Sequence, residues 1–261
     1  LRLADQFSMG VSARYLRSDL KIQAVDDTAI AASSFAVDIS GYYQGEEQSY
    51  GGIDGRFRGG FILQNLGPKI KYDEESQSDA FIPTNLKLGG GFDFILDQYN
   101  KVSITAEVAK LLVPTPPLLG TYTEFNDNND NGIFDEGDDQ VGESYVDIID
   151  GMSTDVDFLS GVFQSFSDAP GGFSEELKEF TWALGAEYLY DDSFAIRAGY
   201  FNESEEKGAR KFLALGAGFK FSGTKIDLSY LFSASKVPSP LESTLRFSLT
   251  FNFGSNQYTE Y

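Results

Sequence analysis

The sequence predicts an all-β protein, a transmembrane antiparallel up-and-down β-barrel with a long, partly helical extracellular loop. Three observations predict this fold. Apolar and polar residues alternate with a period of two along ten segments of about nine to eleven residues, the length that a tilted strand needs to cross a bilayer. The connections between the segments are alternately short and long, and aromatic residues gather near the segment ends.

The ten predicted strands are 7–15, 34–43, 56–65, 86–96, 102–109, 180–190, 193–201, 211–221, 225–232 and 245–253. In 211–221, leucine and phenylalanine alternate with alanine, glycine and lysine, whereas 56–65 alternates least regularly. A soluble barrel would bury the apolar face inside, and a membrane barrel would turn it toward lipid. The aromatic strand ends, and a second face of glycine, serine, threonine and charged residues, favour the membrane barrel.

The connections predict an orientation. Outer-membrane barrels have short periplasmic turns and long extracellular loops. The short connections are 97–101, 191–193 and 222–225, and the long ones are 17–33, 67–84, 111–179, 204–209 and 234–243. The sequence therefore predicts a protein of the bacterial outer membrane with the long loops extracellular, although the connection at 44–49 is longer than a typical periplasmic turn.

Two hairpins predict charge pairs on the polar face. A three-residue turn at 191–193 places Glu187 opposite Arg197, and a four-residue turn at 222–225 places Lys220 opposite Asp227. Opposite charges across a ladder stabilise a sheet. Charge neutralisation in the lumen explains these pairs better than a role in transport.

The composition excludes several functions. The chain has no cysteine and no histidine, so it cannot form disulfides, thiolate nucleophiles or histidine-based catalytic triads, and we expect no enzyme and no catalytic residue. The net charge of −20 argues against nucleic acid as a partner. No apolar run approaches the length of a transmembrane helix. We expect one domain over residues 1–261, and a start in mid-pattern indicates a processed or truncated N-terminus.

Most of the negative charge lies in an acidic insertion at 111–179. Residues 121–179 hold 16 acidic side chains and one lysine. Prolines stiffen its beginning, and residues 153–172 predict one amphipathic helix that Thr154 and Asp157 cap. Val156, Leu159, Phe163 and Phe166 recur on one face of that helix. This face packs either against the protein's own barrel or against a partner protein.

The run NDNNDNGIFDEGDD at 126–139 contains the spacing of a calcium loop, D-x-N-x-N-G-x5-D. The predicted oxygen ligands are Asp127, Asn129, Asn131, the carbonyl of Ile133, Asp135 and Asp138. Asp stands at the last position, where Glu is usual, so we expect weak calcium binding that orders an extracellular loop and supplies no chemistry. The alternative is a solvated Asn/Asp turn without an ion.

Four stretches resemble one family: FIPTNLKLGGGF (81–92), KLLVPTPP (110–117), ARKFLALGAGFKF (209–221) and residues 227–254. They are similar to PorV proteins of the type IX secretion system of Bacteroidetes, relatives of the FadL-type channels. The resemblance implies a barrel of about fourteen strands, so we expect that four N-terminal strands are missing here. It also implies docking to the translocon barrel of the outer membrane, binding of cargo through the cargo's C-terminal domain, and transfer to the surface sortase complex.

These expectations leave two binding functions to compare. A secretion shuttle needs exposed apolar loop residues for protein partners. The predicted partner-binding residues are Leu112, Val113, Pro114, Pro116, Pro117, Leu118, Phe163 and Val237. The alternative is a FadL-like channel for hydrophobic small molecules, which needs an apolar pocket in the lumen; the lipid bilayer surrounds the protein in both cases.

Overall fold

The computed structural model of the chain describes residues 1–19, 31–72, 79–126, 128, 134, 140–235 and 243–252. The strands are β1 (Arg2–Ala4), β2 (Phe7–Ser18), β3 (Ala32–Gln44), β4 (Gln48–Tyr50), β5 (Ile53–Leu66), β6 (Asn85–Ile95), β7 (Asn100–Leu111), β8 (Leu118–Asn126), β9 (Gln140–Asp150), β10 (Phe180–Tyr190), β11 (Phe194–Asn202), β12 (Lys211–Phe221), β13 (Thr224–Ser233) and β14 (Thr244–Phe251). Two short helices, α1 (Phe158–Gln164) and α2 (Phe173–Lys178), lie between β9 and β10. All ten predicted strands are present, as β2, β3, β5, β6, β7 and β10–β14.

The strands form one antiparallel meander. Its order is β1-β2-β3-β5-β6-β7-β10-β11-β12-β13-β14, and the short β4 pairs with β5. Strands β8 and β9 form a separate two-stranded sheet. The predicted all-β, up-and-down fold is confirmed. Over the described residues the sheet is open, with β1 and β14 at its edges, so closure into a barrel stays a prediction.

The long strands expose their apolar side chains. In β12, Leu213, Leu215 and Phe219 are all exposed, whereas Phe212 and Gly218 on the opposite face are buried. The same pattern continues through Leu184 in β10 and Leu228 in β13. Contact between large apolar side chains and water is unfavourable, whereas contact with lipid hydrocarbon is favourable, so this face suits a membrane environment. We call it the apolar face, and the opposite one the polar face.

The polar face is held by ion pairs across neighbouring strands. Asp93 on β6 accepts hydrogen bonds from Arg56 at 2.9 Å and Arg58 at 2.7 Å, both on β5. Arg14 on β2 pairs with Asp38 on β3. Each pair places opposite charges on adjacent strands, which stabilises the sheet from its polar face.

One of the two predicted charge pairs is confirmed and the other is wrong. Glu187 lies opposite Arg197, and the two side chains are bonded. Lys220, however, lies opposite Lys225. The turn after β12 has two residues, Ser222 and Gly223, with φ of 44° and 85°, as in the turns that match the twist of a hairpin. This register brings Asp227 within 2.7 Å of Arg197 instead.

Short and long connections alternate between the two ends of the sheet as predicted, except that 45–52, which contains β4, is as long as 203–210. The turn end carries 45–52, 96–99, 191–193 and 222–223, and the loop end carries 19–31, 67–84, 112–179, 203–210 and 234–243. At the turn end, the Asp97 side chain accepts from the backbone N–H groups of Tyr99 and Asn100 at 2.8 and 2.9 Å. These bonds close the turn between β6 and β7, and they lower the pKa of the Asp97 carboxyl.

The acidic insertion differs from its prediction. Residues 112–179 contain the β8–β9 hairpin and two helices rather than one helix over 153–172. The N-cap of α1 is Asp157, whose carboxylate accepts from the N–H groups of Leu159 and Ser160 at 3.0 and 3.1 Å, so the predicted cap at Thr154 is wrong. The helix already ends at Gln164, well before the glycines at 171–172. Across the described residues, no helix is long and apolar enough to span a membrane.

Candidate partner-binding site at the loop end

The helices α1 and α2, here called the helix pair, cover the apolar face at the loop end of the sheet. Lys110, near the end of β7, lies directly opposite Phe180 of β10 and Leu86 of β6. Its side chain belongs to the same register as Ile104 and Val108, which are exposed on the apolar face. Lys110 nevertheless is only 2% exposed, because the helix pair lies over it.

The buried ammonium of Lys110 anchors the helix pair. Its Nζ lies 2.5 Å from Glu179 Oε2 and 3.2 Å from Glu176 Oε2, and all three side chains are almost fully buried. The ring of Phe180 lies 5.2 Å and that of Phe166 5.9 Å from the same nitrogen, close enough for cation–π attraction. A buried lysine needs such partners, since an unpaired charge would be costly away from water.

Glu179 joins this anchor to the connection between β11 and β12. Its Oε1 accepts from the Thr115 hydroxyl at 2.6 Å and from Lys207 Nζ at 3.1 Å. Burial acts to raise the pKa of Glu179, but the hydrogen bonds from Lys110, Thr115 and Lys207 outweigh it and lower that pKa. Lys207 also bonds Glu175 at 2.5 Å. The helix pair is therefore fixed by ionic bonds to two separate segments.

Asp168, after α1, is a second buried carboxylate. Its Oδ2 accepts from the Thr115 N–H at 3.0 Å, whereas its Oδ1 is buried with no donor among the described residues. Burial raises the pKa of Asp168, and the nearby carboxylates of Glu176 and Glu179 raise it further. The neutral acid is therefore favoured here more than at an exposed aspartate.

Helix α1 packs closely on the end of the sheet at Gly161. A Cβ built on Gly161 would lie 2.5 Å from the ring of Phe81 and 3.0 Å from Pro114 Cγ. Only glycine permits this distance, so α1 rests directly on the proline-rich exit of β7. Leu112 donates its N–H to Thr84 at 2.8 Å and continues the pairing of β6 and β7 past the strand ends.

The predicted partner-binding residues divide into buried and exposed groups. Leu112 is 2% exposed and Pro114 is buried, so the expectation that they present an exposed surface is wrong: the helix pair and the 79–84 segment already cover them. Leu118 and Phe163 are exposed, at 54% and 74%. Pro116 is also exposed, Val113 and Pro117 are half-buried, and Val237 lies outside the described residues. Whether the exposed residues bind a partner stays a prediction.

The β8–β9 hairpin offers a larger exposed surface. It pairs with no other strand in the described part of the chain, and both of its edges are open. Stacked rings of Tyr122 and Tyr145 connect the two strands at 5.8 Å. Its large exposed apolar side chains are Leu118, Leu119, Tyr122, Val141, Tyr145, Val146, Ile148 and Ile149. An isolated hairpin is marginally stable in water, and an open strand edge is a template for a partner strand.

The predicted calcium ligands Asp127, Asn129, Asn131, Ile133, Asp135 and Asp138 lie outside the described residues. The strands on either side pair as far as Asn126 and Gln140, so these residues connect β8 to β9. Elsewhere, in the residues that the structure describes, no three acidic side chains converge as a metal site would require. The calcium prediction is therefore untested.

The polar face carries a cavity of about 480 Å³ near its middle. Paired glycines of β5 and β6 leave bare backbone there, with Gly60 opposite Gly89. The charged residues around the cavity are Arg58, Lys87 and Glu107. Tyr42 and Ile62 also line it, so the hollow combines an apolar lining with a charged rim.

Sequence reasoning missed the anchor formed by Lys110, Glu176, Glu179 and Lys207. One signal was available: Lys110 is the single charged residue in the apolar register of β7, which holds Asn100 at its start and then Val102, Ile104, Ala106 and Val108. A lysine in that position needs a buried counter-charge. Its partners follow 66 and 69 residues later in the chain, and no local pattern identifies them.

Comparison with known proteins identifies the family that the first part of the chain resembles. The family model described as type IX secretion system protein PorV matches residues 1–118. This confirms the resemblance at 81–92 and 110–117, whereas the similar stretches at 209–221 and 227–254 lie beyond the matched range. No curated protein matches the chain. The PorV model matches less than half of the chain and describes a protein of type IX secretion, and the exposed apolar face of the sheet is compatible with an outer-membrane location.

Proposed function

We propose that this protein binds the outer-membrane translocon barrel of the type IX system, receives cargo through the cargo's C-terminal domain and passes it to the surface sortase complex. The role is one of binding, without a catalytic residue. The PorV match to residues 1–118 supports a role in type IX secretion. The open β8–β9 hairpin supports the binding of a protein partner at the loop end.

The hairpin is the observation that carries the proposal. It holds exposed apolar side chains on an unsupported two-stranded ribbon, where a protein partner would bury them. Its described side chains include the acids Glu124, Glu143, Asp147 and Asp150 and no basic residue. We therefore expect the partner to present apolar and basic groups, and to reach the hairpin from the same side of the membrane as the other long loops.

A deletion can remove the hairpin without disturbing the sheet. A Cβ built on Gly151 would lie 3.2 Å from the Cα of Pro117, so these two residues are already neighbours. Joining Pro117 directly to Gly151 therefore removes residues 118–150 with little strain, since one peptide bond spans about 3.8 Å between Cα atoms. The matched control keeps β8 and β9 but joins Asn126 to Gln140 through an Asn-Gly turn, which removes only residues 127–139.

Surface display of cargo in living cells is the readout, with the heat-dependent migration of the barrel on gels as the check on folding. We expect the deletion of 118–150 to abolish surface display while the membrane-inserted sheet is retained. The control variant shows whether surface display depends on the two strands or on the residues that connect them. Normal secretion by the 118–150 deletion would show that the hairpin has no part in partner binding.

A FadL-like channel for hydrophobic small molecules is the second candidate, and the cavity on the polar face is the observation that favours it. The cavity has room for a small ligand but is rimmed by Arg58, Lys87 and Glu107. Gly89→Leu would fill its floor from β6, because a Cβ built on Gly89 meets no atom closer than the Ala106 carbonyl oxygen at 3.5 Å. A channel predicts that this variant loses solute binding and keeps cargo display, whereas a shuttle predicts no change in either.

A further inference from the structure

The helix pair presents a second apolar surface, on the side that points away from the sheet. Phe163 on α1 is 74% exposed, and Phe173 on α2 is 78% exposed. Leu159 lies four residues before Phe163, and Leu177 lies four residues after Phe173, so each helix carries an apolar pair on one side. These four residues are the outer stripe of the helix pair.

The outer stripe lies at the margin of the apolar face of the sheet. The inner side of the helix pair covers Lys110, which lies opposite Phe180 in a row of side chains on the apolar face. The next outward row toward the turn end holds Val108 opposite Trp182, and both are exposed. The exposed apolar surface therefore continues from the strands onto the helices with one covered row between them.

The charges of the helix pair do not point outward with the stripe. Glu176 and Glu179 bond Lys110, and Glu175 bonds Lys207. Lys178 bonds Glu206 at 2.8 Å. These glutamates are thus paired with lysines of the sheet and its loops, which reduces the repulsion that an acidic helix would feel at an anionic membrane surface, whereas Asp155 and Asp157 before α1 stay exposed.

We infer that the helix pair lies in the lipid interface and inserts its outer stripe into the leaflet at the loop end. Short amphipathic helices with aromatic and leucine side chains on one side bind the boundary between headgroups and acyl chains. Here the buried ionic anchor holds the pair at the height of that boundary. The inference goes beyond the proposed function, because it concerns lipid contact and holds whether or not the hairpin binds cargo.

The absence of cysteine allows a direct test with single-cysteine variants of the full chain. Phe163→Cys and Leu177→Cys report on the two helices, and Ser174→Cys, about 100° around α2 from Phe173, is the matched control. Leu184→Cys on β10 is the reference for lipid, and Glu143→Cys on the hairpin is the reference for water. Each variant carries a nitroxide label in phosphatidylcholine vesicles, and collisions with oxygen and with a water-soluble nickel chelate are measured.

Lipid insertion predicts that labels at 163 and 177 collide with oxygen as often as the label at 184, and rarely with nickel. The label at 174 should behave more like the one at 143. Frequent nickel collisions at both 163 and 177 would overturn the inference. If collisions with both probes become rare only after the translocon barrel is added, the stripe binds a protein partner, and the inference is also overturned. Neither outcome affects the separate test of the proposed function, which is cargo display by the 118–150 deletion.

Discussion

The ammonium of Lys110 lies 2.5 Å from the carboxylate of Glu179, although 69 residues of chain separate them and Lys110 belongs to the apolar face of the sheet. This contact, with Glu176 as the second partner, attaches the helix pair to β7. The acidic insertion is therefore not a free loop throughout: its second half is a fixed part of the loop end, and its first half is an open hairpin.

Lys110→Met should release the helix pair. The change leaves Glu176 and Glu179 buried without their main counter-charge, a loss of about 3–5 kcal/mol in comparable buried pairs. We expect faster proteolysis within 151–179 in detergent micelles, with the main sheet still intact. Lys87→Met is the control, since Lys87 lies 3.9 Å from Glu107 in a more exposed pair and should have little effect. Equal protease resistance of the Lys110 and Lys87 variants would contradict the anchor.

Acid should loosen the same anchor. The pKa of Glu179 is lowered because its hydrogen bonds outweigh burial, and the pKa of Glu175 is lowered by its bond to Lys207. A lowered pKa contributes stability above the ordinary value of 4.5, and that stability is lost as the pH falls through the folded-state pKa. The contribution of these two glutamates to protease resistance should therefore be constant from neutral pH down to 4.5 and be lost below it. A loss of resistance that begins near neutral pH would contradict this assignment.

Asp168→Asn should stabilise the helix pair at neutral pH. The raised pKa of Asp168 means that its contribution to stability is present below 3.8 and is lost as the pH rises through the folded-state pKa. The amide keeps the acceptor for Thr115 and removes the buried negative charge, so we expect a gain in the free energy of unfolding. Pulse proteolysis at neutral pH should show the gain, and near pH 3 the two proteins should become equal. A less stable variant at neutral pH would show that the charged form of Asp168 is needed.

Calcium should order the connection between β8 and β9. The prediction rests on the spacing of oxygen ligands in residues 127–138. Added calcium should protect this connection from protease in the wild type, and Asp127→Ala with Asp138→Ala should abolish the protection. Magnesium is the matched control, because it prefers a stricter geometry with several waters. If millimolar calcium does not protect this connection from protease in the wild type, the prediction of a calcium site is wrong.

The strands were predictable because each has one face that must be apolar. Strict alternation determines which face a residue joins, and a slip by one residue would reverse every side chain. The failure at Lys220 came from the turn, since Ser222 adopts positive φ without a sequence signal as strong as that of Gly223. A two-residue turn instead of four moved Asp227 from Lys220 to Arg197.

The hairpin and the anchor were not predictable in the same way. Strands β8 and β9 are exposed on both faces, so no burial selects an alternating pattern, and acidic residues such as Glu143 and Asp147 interrupt the apolar ones. The helix over 153–172 was predicted too long because the cap at Asp157 and the anchoring of Glu176 depend on contacts with the sheet. The buried position of Leu112 has the same origin.

Purification of the tagged full-length protein in mild detergent, followed by mass spectrometry of bound proteins, tests the central claim most directly. We expect recovery of a very large outer-membrane barrel together with secreted proteins that share a C-terminal domain. We also expect that both are lost from the variant without residues 118–150. Recovery of the protein alone, with bound lipid or fatty acid and no protein partner, would contradict the shuttle and favour the small-molecule channel.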